Sequence, residues 1–407
     1  MNKKIMIIII LLIIAIVIAS CFVIKNNSNK SSQNPNGGNV PISTGNDGVF
    51  DNEVLKSDID DMPTVVIGED TIISNCSIVK NGNTSNLSKS DREGQNASVL
   101  LNTRKSLDLI NTSIETNGSG SSGIAVVIQG AEAKINNSQI ATTGERSKGL
   151  LACNRGRIAA ENVTINTAGE KSTAVATDVG GGIIELKDCS VTTTGPHSPG
   201  LYSTGEVKGE NVSVTANAST AIVVDGSGKM ELFDSNITSS GSKCINMFYS
   251  ASSADEEITG NFSMHNGSLA STKGPLFNVT NTNANITLNS VDIDENASGV
   301  ILKAVHDTSD LGRESAVNSS RGANVNMEAI YQELEGELLV DAESTLNLTL
   351  SSSHLKGSIN KDNTAKKVVL NIENGSSVEL TDNCYVDELK ISPDSSLIEN
   401  GFKIITK

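Results

Sequence analysis

The stretch INNSQIATTGERSKGL, Ile135 to Leu150, gathers an Asn pair, two Thr, two Ser, a Glu, an Arg and a Lys into sixteen residues. Alone it has the side chains of an active site. Beside the rest of the chain it is one copy of a recurring phrase. Aligning each copy on the Ile or Val that ends its second apolar segment gives Ile114, Ile140, Ile165, Val191, Val214 and Ile237, at spacings of 26, 25, 26, 23 and 23 residues. A near-fixed period of this size is the mark of a solenoid and outranks any local motif.

Within each copy the apolar residues alternate. Five and seven positions before the anchor lie Leu109 and Leu107, Ile135 and Ala133, Ala160 and Ile158, Leu186 and Ile184, and Leu232 and Met230. Two before it come Thr112, Ser138, Val163, Cys189, Val212 and Ser235, and two after it Thr116, Thr142, Thr167, Thr193, Ala216 and Ser239. A period of two means strands with one inward face. The same parity turns the Thr column inward, which removes it as an exposed ice-ordering array. A third short segment follows a turn, as Ile124–Val126, Leu150–Ala152, Val175–Thr177, Leu201–Ser203, Ile222–Val224 and from Ile245, each behind a small residue: Gly123, Gly149, Ala174, Gly200, Ala221 or Cys244.

Three short strands per unit, about 25 residues per coil and no helical crossover predict an all-β, right-handed parallel β-helix, with coils about 4.8 Å apart. Leucine-rich repeats need a spacing that is absent, and propellers need longer units and more aromatics. From Val65 to Ile405 there is room for roughly thirteen coils, a rod on the order of 60 Å. Asn or Asp recurs at the bend before the second strand, as Asn111, Asn136, Asn162, Asp188, Asn211 and Asp234, because these residues best tolerate left-handed backbone after Gly. Some of them also form N-x-[S/T] triplets, but the turn accounts for them without glycosylation. The polar stretches 81–96 (NGNTSNLSKSDREGQN) and 250–261 (SASSADEEITGN) read as insertions between coils.

The chain has 407 residues, no Trp, 3% aromatics and 37% hydrophobic residues, too apolar for disorder. A net charge of −16 repels phosphate backbones and argues against nucleic acid as a partner. Residues 1–25 begin with Lys3 and Lys4 and continue as an apolar run from Ile5 to Ile24, broken by Ser20. That is an export element long enough to anchor in a bilayer. The expected placement is therefore the extracellular face of the cytoplasmic membrane. Ile18-Ala19-Ser20-Cys21 also resembles a bacterial lipobox, which makes Cys21 a lipidation candidate; an uncleaved anchor and ordinary cleavage remain the alternatives. Residues 26–55, rich in Asn, Ser and Gly, read as a flexible tether, and 56–407 as the β-helix with C-terminal capping coils. The five further cysteines, Cys76, Cys153, Cys189, Cys244 and Cys384, form neither a CxxC pair nor a regular framework. Cys189 and Cys244 fall in core columns, as small buried apolar residues do.

With the repeat in hand, the chain resembles the pectate-lyase-like right-handed parallel β-helix family and, within it, adhesin-like surface proteins of bacteria and archaea. The likeness is sharpest in SVELTDNCYVDELKI and the following NGFKI, where Leu380, Thr381, Tyr385, Val386, Leu389, Asn400 and Gly401 match a C-terminal phrase of that group. Val378 stands where the group has Trp, and Asp382, Asn383 and Cys384 replace Gly-Asp-Ser. The resemblance implies a closing element for the last strand edge.

Enzymes of the family gather Asp residues from successive coils, with calcium and an Arg base in lyases or as acid and base in hydrolases. Beside the anchor column the outward residues read Glu115, Ala141, Asn166, Thr192, Thr215 and Thr238, with no Asp stack. The acidic groups Asp58, Asp60 and Asp61, and Asp255, Glu256 and Glu257, are candidate weak calcium ligands that read as solvated surface. His197, His265, His306 and His354 share no column, and no H-E-x-x-H, G-x-S-x-G or P-loop pattern occurs. The expectation is a membrane-tethered, adhesin-like surface protein without catalytic, cofactor or metal residues. Surface glycans or host-cell receptors would be its partners, met through its loops. A polysaccharide lyase or glycoside hydrolase of the pectin-lyase-like fold is the alternative, and a structural surface coat a further one.

Overall fold

Alternating β-branched residues broken by Asn and Gly corners give short strands that pair with their counterparts one repeat away. The computed structural model describes residues 41–43, 48–250, 258–306 and 321–407. The segment 1–40, with the expected anchor and Cys21, lies outside them. The fold is an all-β parallel solenoid of about 25 residues per turn.

One coil shows the plan. Glu132–Asn136 forms a first wall, Gln139–Thr142 a second and Leu150–Ala152 a third. The first two walls belong to one 22-stranded sheet, and the third belongs to a 15-stranded sheet. Every pairing is parallel and joins one coil to the next. The anchor residues stack in register, Ile114 on Ile140, Ile140 on Ile165, then Val191, Val214, Ile237 and Leu269. The next pair, Leu269 on Ile293, precedes a register shift at Ala270. In later coils the first two walls fuse into long strands, as in Lys229–Ser239 and Thr259–Ser271. The pairing is already under way at Val49–Asp51 and Val54–Ser57, so the solenoid starts ahead of residue 56 and takes in part of the expected tether.

One apolar column system runs along the interior from Leu55 to Val386. Removing a buried Ile or Leu side chain from such a core costs about 2–5 kcal/mol. The Thr column is inward as its parity predicts: Thr116, Thr142, Thr167 and Thr193 are all buried. At the third corner an internal Ser ladder continues the polar theme. The Ser147 amide donates to Ser172 Oγ at 3.0 Å, and that hydroxyl donates to Gly144 O at 2.8 Å. Ser172 N to Ser198 Oγ and Ser121 N to Ser147 Oγ repeat the first link. Each hydroxyl thus satisfies backbone groups that the tight turn leaves without a strand partner.

The bends before the second wall have left-handed backbone at Asn111, Asn162, Asp188, Asn211 and Asp234. In the opening stretch the corner is Asn137, with φ 50°, while Asn136 ends the first-wall strand. The column lies three residues before the anchor, which selects 137. Corner amides also join rung to rung: Asn162 Nδ2 donates to Asn137 Oδ1 at 2.7 Å and Asn211 Nδ2 to Asp188 Oδ1 at 2.6 Å. At Tyr331 the same corner is held by a bulky residue, φ 51°, with 65% of its surface exposed.

The polar stretch 81–96 is more than an insertion. It contains the helix Leu87–Glu93, capped by Asn86 Oδ1 at Lys89 N (2.9 Å) and ended by left-handed Gly94. A Cβ on Gly94 would lie 2.3 Å from the Ala125 side chain, so Gly here permits close approach to the third wall as well as the positive φ. At the C-terminal end Cys384–Val386 pairs with Ile404–Thr406. Among the described residues, the strands Glu388–Ile391 and Ser396–Ile398 are paired on one side only.

Candidate functional site

The outer face of the third wall holds a cleft built by one column. Strands Val175–Thr177, Leu201–Ser203 and Ile222–Asp225 stack in register, so Asp178, Thr204 and Asp225 occupy equivalent places on successive rungs. At about 4.8 Å per rung the backbone positions of Asp178 and Asp225 stand roughly 10 Å apart with Thr204 between them. With Tyr202, Gly180, Gly181, Ser227 and Ser250 they line a cleft of about 490 Å³.

Asp225 is 4% exposed and fully engaged. It accepts Tyr202 Oη at 2.5 Å, Ser250 Oγ at 2.6 Å and Ser250 N at 2.9 Å. The Tyr202 ring is held at its other end by a small apolar patch that includes Leu100, Ala125, Leu151 and Ala176. Thr204 Oγ1 donates to Asp178 O at 3.1 Å. An aromatic face and a hydroxyl are thereby fixed beside two acidic groups, an arrangement able to hold a hydroxyl-rich ligand.

One wall of the cleft continues into a charge cluster under the helix. Lys148 Nζ lies 2.6 Å from Asp91 and 3.9 Å from Asp178. Arg146 also pairs with Asp91, its Nε at 3.0 Å. Burial works to raise the Asp91 pKa, but the Lys148 charge and the hydrogen bonds from Lys148 and Arg146 outweigh it and hold the carboxyl below its usual range. Arg146 and Lys148, the two cations of the opening stretch, therefore fasten the helix to the third wall.

A second cleft of about 420 Å³ lies on the first wall. Its outward columns read Lys134, Ala159, Glu185, Lys208 and Asn136, Glu161, Lys187, Glu210. Ala159 is the short member that leaves the hollow. The walls are cross-paired by Arg157 with Glu185 at 3.5 Å and Lys187 with Glu161 at 3.3 Å. The Glu161 hydrogen bond is the main reason that the Lys187 pKa is raised. Both pairs are exposed, so each contributes little to stability.

The acidic residues singled out from sequence go to other work. Asp58, Asp60 and Asp61 each bind the following coil: Asn81 Nδ2 donates to Asp58 at 2.6 Å, Asn83 N to Asp60 at 2.6 Å and Ser85 N to Asp61 at 2.7 Å. Asp255, Glu256 and Glu257 lie outside the described residues. Among the described residues no group of three or more His, Cys, Asp or Glu side chains could hold a metal ion. The histidines stay apart: His265 stacks on Phe233 at 5.1 Å, and His354 Nδ1 meets Ser377 Oγ at 2.7 Å. All five cysteines outside residues 1–40 are buried and free, and burial pushes the Cys153 and Cys244 thiols up to about 12.

The Asp178, Thr204 and Asp225 column was not among the candidates from sequence, because it lies on the third wall, away from the outward positions beside the second-wall anchor. The signal was one residue beyond each third segment, where Cys153, Asp178 and Thr204 follow Ala152, Thr177 and Ser203. No family model, curated protein or solved structure matches the chain.

Proposed function

We propose that the chain is a recognition rod held at the extracellular face of the cytoplasmic membrane by its N-terminal apolar segment, adhesin-like in role and directed at carbohydrate-bearing surfaces. The observation that carries this reading is the Tyr202, Asp178 and Asp225 cleft, where an aromatic face fixed by Asp225 lies beside the Thr204 hydroxyl and the Asp178 carboxylate. The hydrogen bonds from Tyr202 and Ser250 to Asp225 and from Thr204 to Asp178 O keep the cleft preorganised, which lowers the entropic cost of binding. Membership of the pectate-lyase-like family rests on the C-terminal phrase around Tyr385 and on the shared parallel solenoid.

A second reading, a polysaccharide lyase or hydrolase, draws on the same cleft, because Asp178 and Asp225 bring carboxylates from different coils to one cleft. Exposing the protein to a glycan array and to polyuronide and neutral polysaccharides separates the two. Retention without new reducing or unsaturated ends supports recognition. Release of such ends supports the enzyme. Absence of any glycan binding removes both.

A further inference from the structure

The first wall changes character along the rod. Over the coils from Glu132 to Glu210 its outward columns are mostly charged, whereas over the strands Asn283–Asn289, Asn324–Ile330 and Thr345–Ser351 they are mostly amides and hydroxyls. Of the nine outward positions in rungs 283–287, 324–328 and 345–349, only Glu328 is charged, on a chain of net charge −16.

These side chains are bound into ladders. Asn285 Nδ2 donates to Asn261 Oδ1 at 2.9 Å, Asn326 Nδ2 to Asn285 Oδ1 at 3.1 Å, and Asn347 Nδ2 to Asn326 Oδ1 at 3.5 Å. The adjacent column repeats the pattern, with Asn324 Nδ2 to Asn283 Oδ1 at 3.0 Å and Thr345 Oγ1 to Asn324 Oδ1 at 2.9 Å. Asn285, Asn326 and Asn347 are all exposed. A primary amide has two N–H donors and two oxygen lone pairs. A ladder uses one of each, so Asn285, Asn326 and Asn347 each present a spare donor and a spare acceptor in a fixed direction, whereas Asn283 Oδ1 is filled by Asn324 and Arg321. The grid repeats at roughly 4.8 Å along the rod and roughly 7 Å along the strands.

We propose that this amide face is a docking surface for an extended neutral polysaccharide. Its chemistry selects the partner. Glu328 and, at the edge, Arg321 on Asn283 are opposite charges that give a polyanion or polycation little net ion pairing, and an apolar partner would strand the spare amide groups without hydrogen bonds. A neutral chain of sugar diols offers donor and acceptor together at each residue and repeats along its length, as the face does. Single contacts are weak, and repetition on a rigid grid adds them. The inference rests on the carbohydrate reading above but uses a different wall and later coils than the Tyr202 cleft.

The test is co-sedimentation of the full chain, extracted in mild detergent, with powdered cellulose and chitin as neutral probes and with cross-linked polygalacturonate as an acidic one. The parent protein should sediment with a neutral powder in preference to polygalacturonate. Asn326→Lys, which lays a long charged side chain across the grid, should weaken retention by roughly tenfold or more. Asn285→Asp, of nearly the same shape, should weaken it less, and Asn117→Asp, in another Asn ladder, should leave it unchanged. Unaltered melting temperatures show that the variants are folded. Retention of Asn326→Lys equal to the parent overturns the amide face and leaves the carbohydrate reading standing through the other cleft. Preference for polygalacturonate also overturns it. If the parent sediments with no probe, this inference fails, and an empty glycan array then removes the wider reading too.

Discussion

Lys80 lies in the inward column at the N-terminal end of the solenoid, between Ser57 and Thr116 in register, and it is 0% exposed. Its ammonium donates to Ile59 O at 2.6 Å and Gly82 O at 3.0 Å. Burial lowers its pKa from 10.5 to about 8, against the pull of Asp60, Asp58 and Asp61. The unfolded chain therefore holds a proton that the folded chain has released between pH 8 and 10.5. Stability in that window rises with pH, by about 1.4 kcal/mol per unit for one proton. The whole shift is worth about 3 kcal/mol, to order of magnitude. Below pH 8 both states are protonated and the fold carries the full desolvation cost. The neutral amine still has two N–H groups for its two carbonyls, so the contacts survive the loss of charge.

The measurement is guanidinium unfolding followed by circular dichroism at pH 7.5, 9 and 10, on the parent and on Lys80→Met. The variant removes the titration and leaves Ile59 O without its donor, while Gly82 O keeps Asn96 Nδ2 and Ser121 Oγ, each at 2.9 Å. Comparing slopes rather than absolute stabilities subtracts every other titrating group. It also tolerates an unfolding that proceeds coil by coil. The parent should gain stability relative to the variant as pH rises from 8 to 10. Equal slopes would refute a buried, depressed Lys80.

Replacing Asp91 by Asn should loosen the helix Leu87–Glu93 and cost about 3 kcal/mol, since it leaves the buried Lys148 ammonium with only Asp178 at 3.9 Å; faster proteolysis near residue 90 reports it. Because the Asp91 pKa is depressed, its contribution is present above the ordinary carboxylate pKa and is lost as pH falls through the lowered folded value, so acid should release the helix in the parent and not in the variant. Ser172→Ala strips both Ser147 N and Gly144 O of a buried partner and should cost about 2–4 kcal/mol in chemical denaturation, whereas under 0.5 kcal/mol would mean that the ladder is incidental. Tyr331→Asn should stabilise by roughly 0.5–1 kcal/mol, because Asn tolerates the left-handed corner and the exposed ring has little packing to lose; a lower melting temperature contradicts this.

The sequence by itself determined the architecture. A period of two within strands and about 25 between coils leaves one way to bury Ile114, Ile140 and Ile165, which is to stack them, and parity alone placed Thr116 and Thr142 inside. It also located the corners to within one residue, missing at Asn136 because two Asn stand side by side and only the register chooses Asn137. Tertiary structure decided the rest. Arg146 and Lys148 gain their partner only in the fold, where a helix more than fifty residues earlier in the chain brings Asp91 onto them. Asp178 and Asp225 face one cleft, and Asn285, Asn326 and Asn347 form one grid, because stacking at 4.8 Å turns distance along the chain into adjacency. A repeat fixes its own core through local alternation. Its outer face is composed by residues from different coils, and their chemistry exists only once the coils are laid on one another.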